Sequence, residues 1–358
     1  MIVLVDAMGG DNAPYAIVKG CVEAINERGG FSVVLIGDEP EIRKILSSEQ
    51  YDPGRISIRH TTQVITNDDV PTKAIRAKSD SSLTVGFKML KEGKGDVFLS
   101  AGNSGALLVG SITILKRIGG IDRPCLGSVI PTKGGRMILV DSGLNMSCKA
   151  ERYEQFAYLG AAYMKALFKT EEPRIGLVNI GSEDEKGPEI IKAANEMLRA
   201  SSLNYIGYLE GKDLFEGRAD VVVTDGFTGN VILKLIEGTS KYMFTEIKKL
   251  LFKNLRTKIG ALFLKDGLNE FKKTLDPDIN GGAPILGVDG LVLKSHGSSN
   301  AKTIRYVVLK ACDLAEALFL RILSQPFRKC AFRNNNLKSE LLYYIISQFL
   351  YKEERKDW

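Results

Sequence analysis

Residues 219–238, ADVVVTDGFTGNVILKLIEG, carry the pattern that most limits how this chain can fold. Val221, Val222 and Val223 are a β-branched run bounded by a turn, which suits a short strand buried on both faces. Asp225-Gly226-Phe227-Thr228-Gly229-Asn230 makes a tight connection, with glycine supplying positive φ or close backbone approach. Val231, Leu235 and Ile236 then fall at helical spacing. Such a passage aims backbone N–H groups and the positive end of a helix dipole at one point, a natural anion site. An ordinary βα turn accounts for the stretch equally well when it is taken alone.

The passage recurs. Five times a short apolar strand ends in a Gly/Asn/Asp/Ser loop that opens a helix. Ile2–Val5 leads through 6–14 into a helix over 15–28, with Pro14 suited to its first turn. Val97–Leu99 leads through Ser100–Gly105 into an apolar helix from Ala106, and Arg174–Ile180 through 181–187 into a helix after Pro188. Strands are also expected at 32–36, 56–65 and 203–209. Leu126–Ile130 and Arg136–Val140 read as a strand pair joined by a turn, the second ending in Asp141–Asn145 ahead of a helix holding 153–167. The order predicts an α/β/α sandwich of three layers on a mostly parallel sheet, with polar loops gathered at the strands' carboxyl ends, where such folds bind ligands.

Composition narrows the function. The 358 residues are 44% apolar and 26% charged, as in soluble globular proteins, and the net charge of +6 is mild. It suits an acidic partner or an anionic membrane surface and falls short of a nucleic-acid-binding signature. Cys21, Cys125, Cys148, Cys312 and Cys330 are scattered, odd in number and without Cys-x-x-Cys, which points to a reducing cytoplasm without disulfides or zinc. With two histidines, His60 and His296, no histidine-rich metal centre is expected. Neither a signal peptide nor a membrane span is expected.

No G-x-G-x-x-G follows the first strand, and no G-x-x-x-x-G-K-[ST] or G-x-S-x-G occurs, so nucleotide binding and serine hydrolysis lack support. What recurs is Asn near Gly: Asn12, Asn103, Asn145, Asn179 and Asn230. Each suits a turn, and together they suggest a pocket of neutral donors. Lys73, Arg76, Lys78, Lys149, Lys186 and His296 are candidate cations, each also readable as an ordinary surface or structural group.

Six segments then take on meaning together: Asp6-Ala7-Met8-Gly9-Gly10-Asp11, Ser100 to Ala106, Asn179-Ile180-Gly181-Ser182-Glu183, Asp225 to Asn230, Gly281-Gly282-Ala283 and His296-Gly297-Ser298-Ser299. In this order and spacing, over roughly residues 1–325, they resemble the bacterial phosphate acyltransferase (PlsX) family. The resemblance implies transfer of a fatty acyl group from acyl carrier protein to inorganic phosphate, giving acyl phosphate for phospholipid synthesis. It implies a homodimer on a fold related to isocitrate dehydrogenase and phosphotransacetylase, with no cofactor and no obligatory metal, and a glycerol-3-phosphate acyltransferase as a further partner. Ser147 and Ala150 stand where the family usually has aspartate and proline, and residues 331–358 are expected to form an extra C-terminal helical extension beyond the 1–330 domain.

A thioester is already activated and phosphate is ionised at neutral pH, so neither a strong base nor a covalent nucleophile is obligatory. The protein must align phosphate with the carbonyl, stabilise the oxyanion and ease thiolate departure. Candidate catalytic groups are Lys186, Asp225, Asn230 and His296; candidate binding groups are Asp6, Gly9, Gly10, Asn12, Asn103, Ser104, Gly105, Asn179, Glu183, Thr228, Gly229 and Ser298. Competing readings are a phosphotransacetylase acting on a coenzyme A thioester, a dehydrogenase sharing the fold, and a non-catalytic acyl-carrier or membrane adaptor.

The segment 241–265 holds seven basic residues against one acid, Glu246. At helical spacing Phe244, Ile247, Leu251, Leu255, Ile259 and Leu262 form one apolar stripe, with Gly260 a place where the helix divides. Apolar insertion plus attraction to anionic headgroups suits peripheral membrane association. A stripe packed on the core or a dimer partner is the competing reading.

Overall fold

The computed structural model describes residues 1–275 and 281–324. The extension expected over 331–358 lies outside the described residues. In chain order the strands are β1 (Ile2–Asp6), β2 (Ser32–Gly37), β3 (Ile56–His60), β4 (Val97–Ser100), β5 (Cys125–Thr132), β6 (Gly135–Val140), β7 (Ile175–Val178), β8 (Tyr205–Leu209), β9 (Val221–Val223), β10 (Ala283–Leu286) and β11 (Val292–Lys294). The α-helices are α1 (Tyr15–Glu27), α2 (Glu39–Leu46), α3 (Pro71–Ala77), α4 (Ser82–Lys91), α5 (Ser104–Gly110), α6 (Ala150–Phe168), α7 (Glu189–Ala200), α8 (Gly226–Leu251), α9 (Leu255–Leu275) and α10 (Ala301–Ser324).

Side-chain caps fix several helix starts. Asp38, Ser81, Asn103 and Asp225 each accept a hydrogen bond from an N–H of the first turn. The last of these corrects the sequence reading of 225–230. Helix α8 begins at Gly226, so this stretch is a capped first turn rather than an open loop. Pro14 stands at the N-cap of α1, one residue earlier than expected, and the strand expected over 56–65 ends at His60.

The strands form one sheet in the order β3-β2-β1-β4-β11-β10-β5-β6-β9-β7-β8. Alternation sorts their side chains into two buried layers. Val3, Val5, Val97, Leu99, Ile138, Val140, Val221 and Val223 face one side, which α1, α6, α7 and α10 cover. Leu4 and Phe98 point the other way beneath α4 and α5, as do Met137, Leu139 and Val222 beneath Ile232, Leu233 and Ile236 of α8. This is the expected α/β/α sandwich.

The sheet is mostly parallel and contains the turn-joined β5–β6 pair, both as expected; the addition is β10. β10 runs antiparallel to β11 and β5, and β5 antiparallel to β6. Strands β6, β9, β7 and β8 therefore run opposite to β1–β4 and β11. The polar loops gather on two opposite edges, not one. Helix α8 leaves the second edge at Asp225 and travels back toward the first. At 1.5 Å per residue, Lys234 lies about 13 Å along it, and there Lys234 Nζ sits 3.1 Å from His296 Nε2 beyond the end of β11.

The long segment after 240 is two helices. The break falls at Phe252–Asn254, not at Gly260, because Asn254 caps α9: its Oδ1 accepts from Thr257 N–H, and its own N–H donates to Thr257 Oγ1. The single stripe is thereby divided. Phe244, Ile247 and Leu251 are half-buried, with the Phe244 and Phe271 rings 5.6 Å apart, whereas Leu255, Ile259 and Leu262 are exposed.

The start of α8 abuts the end of β6 so closely that a Cβ on Gly229 would lie 1.9 Å from the Asp141 carbonyl oxygen. Backbone on both sides leaves little room to give. Gly229→Ala should cost about 1–3 kcal/mol of stability, read as a lower urea midpoint; an unchanged midpoint would show that the contact is loose.

Candidate functional site

On the first edge, Asp6 is buried at the end of β1 and Ser100 Oγ donates to its Oδ2 at 2.6 Å. Burial raises the Asp6 carboxyl above the ordinary aspartate value, while hydrogen bonds from Ser100, Ser82, Met8 and Gly9 pull it down. Gly9 packs so tightly that a Cβ would lie 2.5 Å from Asp6 Oδ2, and Gly10 has φ +106°. Asn12 Nδ2 donates to the Ser298 and Ser299 carbonyls, and Asp11 N–H to Gly297 O. The two glycine-rich loops are thus laced together, 286 residues apart in the chain.

On the second edge the organiser is Asp141. Its fully buried carboxylate accepts from the N–H groups of Leu126, Gly143, Leu144 and Asn145 and from Asn145 Nδ2, at 2.7–3.2 Å. The Asn145 carbonyl then accepts from Gly226 N–H at 2.7 Å. Asp225 accepts from Thr228 N–H and Oγ1 and from the Tyr153 hydroxyl. Gly226, Thr228 and Gly229 thus have partners for their N–H groups in Asn145 and Asp225. A carboxylate already occupies the helix start, so the open anion site expected there is not what forms. Burial also pushes the nearby Cys148 thiol up to about 12, which leaves it protonated and poorly nucleophilic.

Helix α8 joins the edges. Asn230 and Lys234, one turn apart on the same face, run from Gly143, beside which the Asn230 side chain lies, toward His296. Lys234 also pairs with Glu237 at 2.6 Å, and His296 Nδ1 lies 2.8 Å from Ser298 Oγ. Burial, then the charges of Lys234 and Lys294, hold the His296 imidazole below the usual histidine value. At neutral pH the ring is uncharged, so the cation at this point is Lys234 rather than His296.

Asp6, Gly9, Gly10, Asn12, His296 and Ser298 therefore come together on one edge, and Asp225, Thr228, Gly229 and Asn230 on the other. Asn103 is spent as the cap of α5, its Nδ2 donating to the Thr66 and Asn67 carbonyls, with Ser104 exposed and Gly105 packed on Pro71. Asn179 clamps the 180–187 loop through the Gly181 and Lys186 carbonyls. Glu183 and Lys186 are exposed on that loop, and no hydrogen bond or ion pair among the described residues joins them to Asp225, Asn230 or His296. Sequence reading missed Asp141, Tyr153, Lys234 and Lys294 as site residues. Lys234 carried one signal, its helical spacing from Asn230. Among the described residues no cluster of three His, Cys, Asp or Glu side chains is placed to hold a metal ion.

The family described as "Fatty acid synthesis protein" matches residues 1–321. The phosphate acyltransferase of Acetivibrio thermocellus is 54% identical over 327 residues, 91% of this chain and 96% of that protein. The chain belongs to the phosphate acyltransferase family. The phosphate acyltransferase of Clostridioides difficile, 39% identical, matches 95% of this acyltransferase along its own whole length. Among solved structures, a phosphotransacetylase from Streptococcus pyogenes aligns with TM-score 0.60 over 89% of this chain and 94% of that one, at 16% identity. A branched-chain phosphotransacylase from Enterococcus faecalis aligns at 0.54 over 88% and 99%, at 12% identity. These two share its fold, as the sequence led one to expect.

Asp141→Asn would turn an NH2 group toward N–H donors inside a buried cluster. We expect a loss of about 2–4 kcal/mol in chemical unfolding, with early proteolysis near 141–145. A loss below about 0.5 kcal/mol would show that the carboxylate is not the organiser.

Proposed function

We propose that this acyltransferase moves a fatty acyl group from acyl carrier protein to inorganic phosphate, and that the acyl phosphate feeds phospholipid synthesis through a glycerol-3-phosphate acyltransferase. The observation that carries the reading is the α8 seam, where Asn230 and Lys234 span the two edges of the sheet and end at His296 and the glycine-rich loops. The family match over 1–321 supports a fatty acyl donor. So does the surface of α8: Phe227, Val231 and Leu235 are exposed at i, i+4 and i+8, an apolar row beside the polar one.

The chemistry asked of the seam is positioning and charge stabilisation. Phosphate attacks the thioester carbonyl, the oxyanion forms, and the thiolate leaves. Asn230 supplies a neutral amide donor for the oxyanion. Asp225, held by Thr228 and Tyr153, fixes the turn that aims it. The enzyme works as a homodimer and needs no cofactor, a reading that rests on family resemblance.

Purified protein given palmitoyl-carrier protein and phosphate, without added metal or nucleotide, should yield acyl phosphate trapped by hydroxylamine. Palmitoyl-coenzyme A in the same assay separates the carrier-linked donor from a phosphotransacetylase-like one. Asn230→Ala should lower the rate by roughly 10²-fold, the scale of one oxyanion donor; a fall of less than about threefold makes Asn230 turn chemistry.

The α8–α9 hairpin is the proposed membrane contact. No helix of the described residues is long and apolar enough to cross a bilayer. Near the break the hairpin exposes Leu250, Phe252, Leu255, Leu262 and Phe263, the last 88% accessible, amid exposed Lys248, Lys253, Arg256, Lys258 and Lys265. Exposed apolar side chains among cations are what an interfacial anchor needs. The protein should float with anionic vesicles, less so at high salt, and Leu255→Glu with Phe263→Glu should abolish flotation while sparing activity on soluble substrate. Flotation of the double variant, or its fall to monomer, would assign these side chains elsewhere.

A further inference from the structure

We propose that Lys234, Lys294 and His296 form the binding site for a phosphate group, set between the third turn of α8 and the loop that follows β11. The inference deepens the reading above and rests on it for the identity of the anion. Lys234 reaches across from α8 to within 3.1 Å of His296 Nε2. Lys294 ends β11 two residues before His296, half-buried, its ammonium donating to the Ser295 carbonyl at 3.2 Å. An ammonium carries three donors, so Lys294 retains capacity for an anion.

The nearby carboxylates do not use up the donors of the two ammonium groups. Glu237, 2.6 Å from Lys234, and Asp11 are the carboxylates that face the cluster. Glu237 is shared between two ammonium groups, and Asp11 lies beside Gly297, the residue after His296. Burial and the neighbouring Lys234 pull the Lys294 ammonium below the usual lysine value, and the same two causes act on His296. Confining like charges in a half-buried place costs free energy that a bound anion offsets.

Shape supports a tetrahedral anion. Two ammonium groups come from different elements, α8 and β11, and His296, anchored through Nδ1 to Ser298, meets Lys234 through Nε2. A phosphate dianion has oxygens for each of these donors. Gly297, next to His296, holds the glycine-rich loop of Gly9 and Gly10 close by, its carbonyl accepting from Asp11 N–H. This places the anion in reach of the turn that carries Asn230.

Two phosphate groups share this chemistry: free inorganic phosphate and the phosphodiester of a pantetheine-linked donor. Calorimetric titration with inorganic phosphate at fixed ionic strength, paired with steady-state kinetics, separates them. Lys234→Gln and Lys294→Met should each weaken phosphate binding and raise KM for phosphate by about tenfold or more, with KM for the acyl thioester within about twofold. Lys234→Arg should restore most of the binding, and the distant exposed Lys44→Ala should behave as wild type. A rise in thioester KM alone assigns the site to the donor's phosphodiester. Folded variants with neither effect overturn the site while leaving the acyltransferase reading intact. Phosphate binding that vanishes in the variants, in a protein that makes no acyl phosphate, keeps the site and overturns the reading. If Lys294→Met fails to fold, Lys234→Gln decides, because its side chain is 45% exposed.

Discussion

The close approach of α8 to the end of β6 is the contact on which the rest of the arrangement depends. Gly229 has no Cβ, so the helix can rest on the Asp141 carbonyl, while the Asp141 carboxylate collects five N–H donors from its own loop and from β5. A buried carboxylate this fully bonded is a rigid node, because losing any donor leaves charge uncompensated in a poor solvent. Asn145 extends the node to Gly226. The direction of α8 is thereby fixed at its first turn, and direction is what matters thirteen ångströms away, on the order set by helical rise. A small tilt at Gly229 would carry Lys234 out of reach of His296.

How much of this was legible depended on whether the controlling interaction was local. The strands showed because β-branched runs such as Val221–Val223 stop at Gly, Asp and Asn, and the helices showed where a cap or proline stood at their start. Helix α4 was missed, since Ser82-Leu83-Thr84-Val85-Gly86 begins with weak helix formers that tertiary burial overrides. The mostly parallel sheet and the β5–β6 pair were legible, but the reversal of direction across the sheet was not. It follows from β10 pairing with β11 on one side and with β5 on the other, where Leu286 meets Cys125 from far along the chain. The glycines of 225–230 were read correctly as a special place, and their reason turned out to be close approach rather than positive φ.

The candidate residues divide along the same line. Asn12, Asn103, Asn145 and Asn179 were all found as loop asparagines, and in each the amide is bonded to backbone carbonyls of its own or a neighbouring loop. They shape the pocket walls and hold the loops in register. Lys186 looked like a cation beside a strand end, yet it projects from a loop tied to itself through Asn179 and Glu183. Lys234 looked like an ordinary surface lysine of an amphipathic helix, and the 62 residues that separate it from His296 hid its partner.

Short strands at the two ends of the bridge make its geometry possible. β9 and β11 have three residues each and β10 has four. At a rise of about 3.3 Å per residue each of these three spans little more than 10 Å, against roughly 20 Å for the six residues of β6 or β2. Two turns and a half of α8 cover that shorter span. Had β10 and β11 been of ordinary length, a helix starting at Asp225 would have met only the middle of the sheet, with apolar partners, and a lysine at 234 would have been buried without an ion. The brevity of β9 and β11 and the length of α8 are thus one constraint: a single helix joins loops from strands of opposite direction where the strands that carry those loops are short.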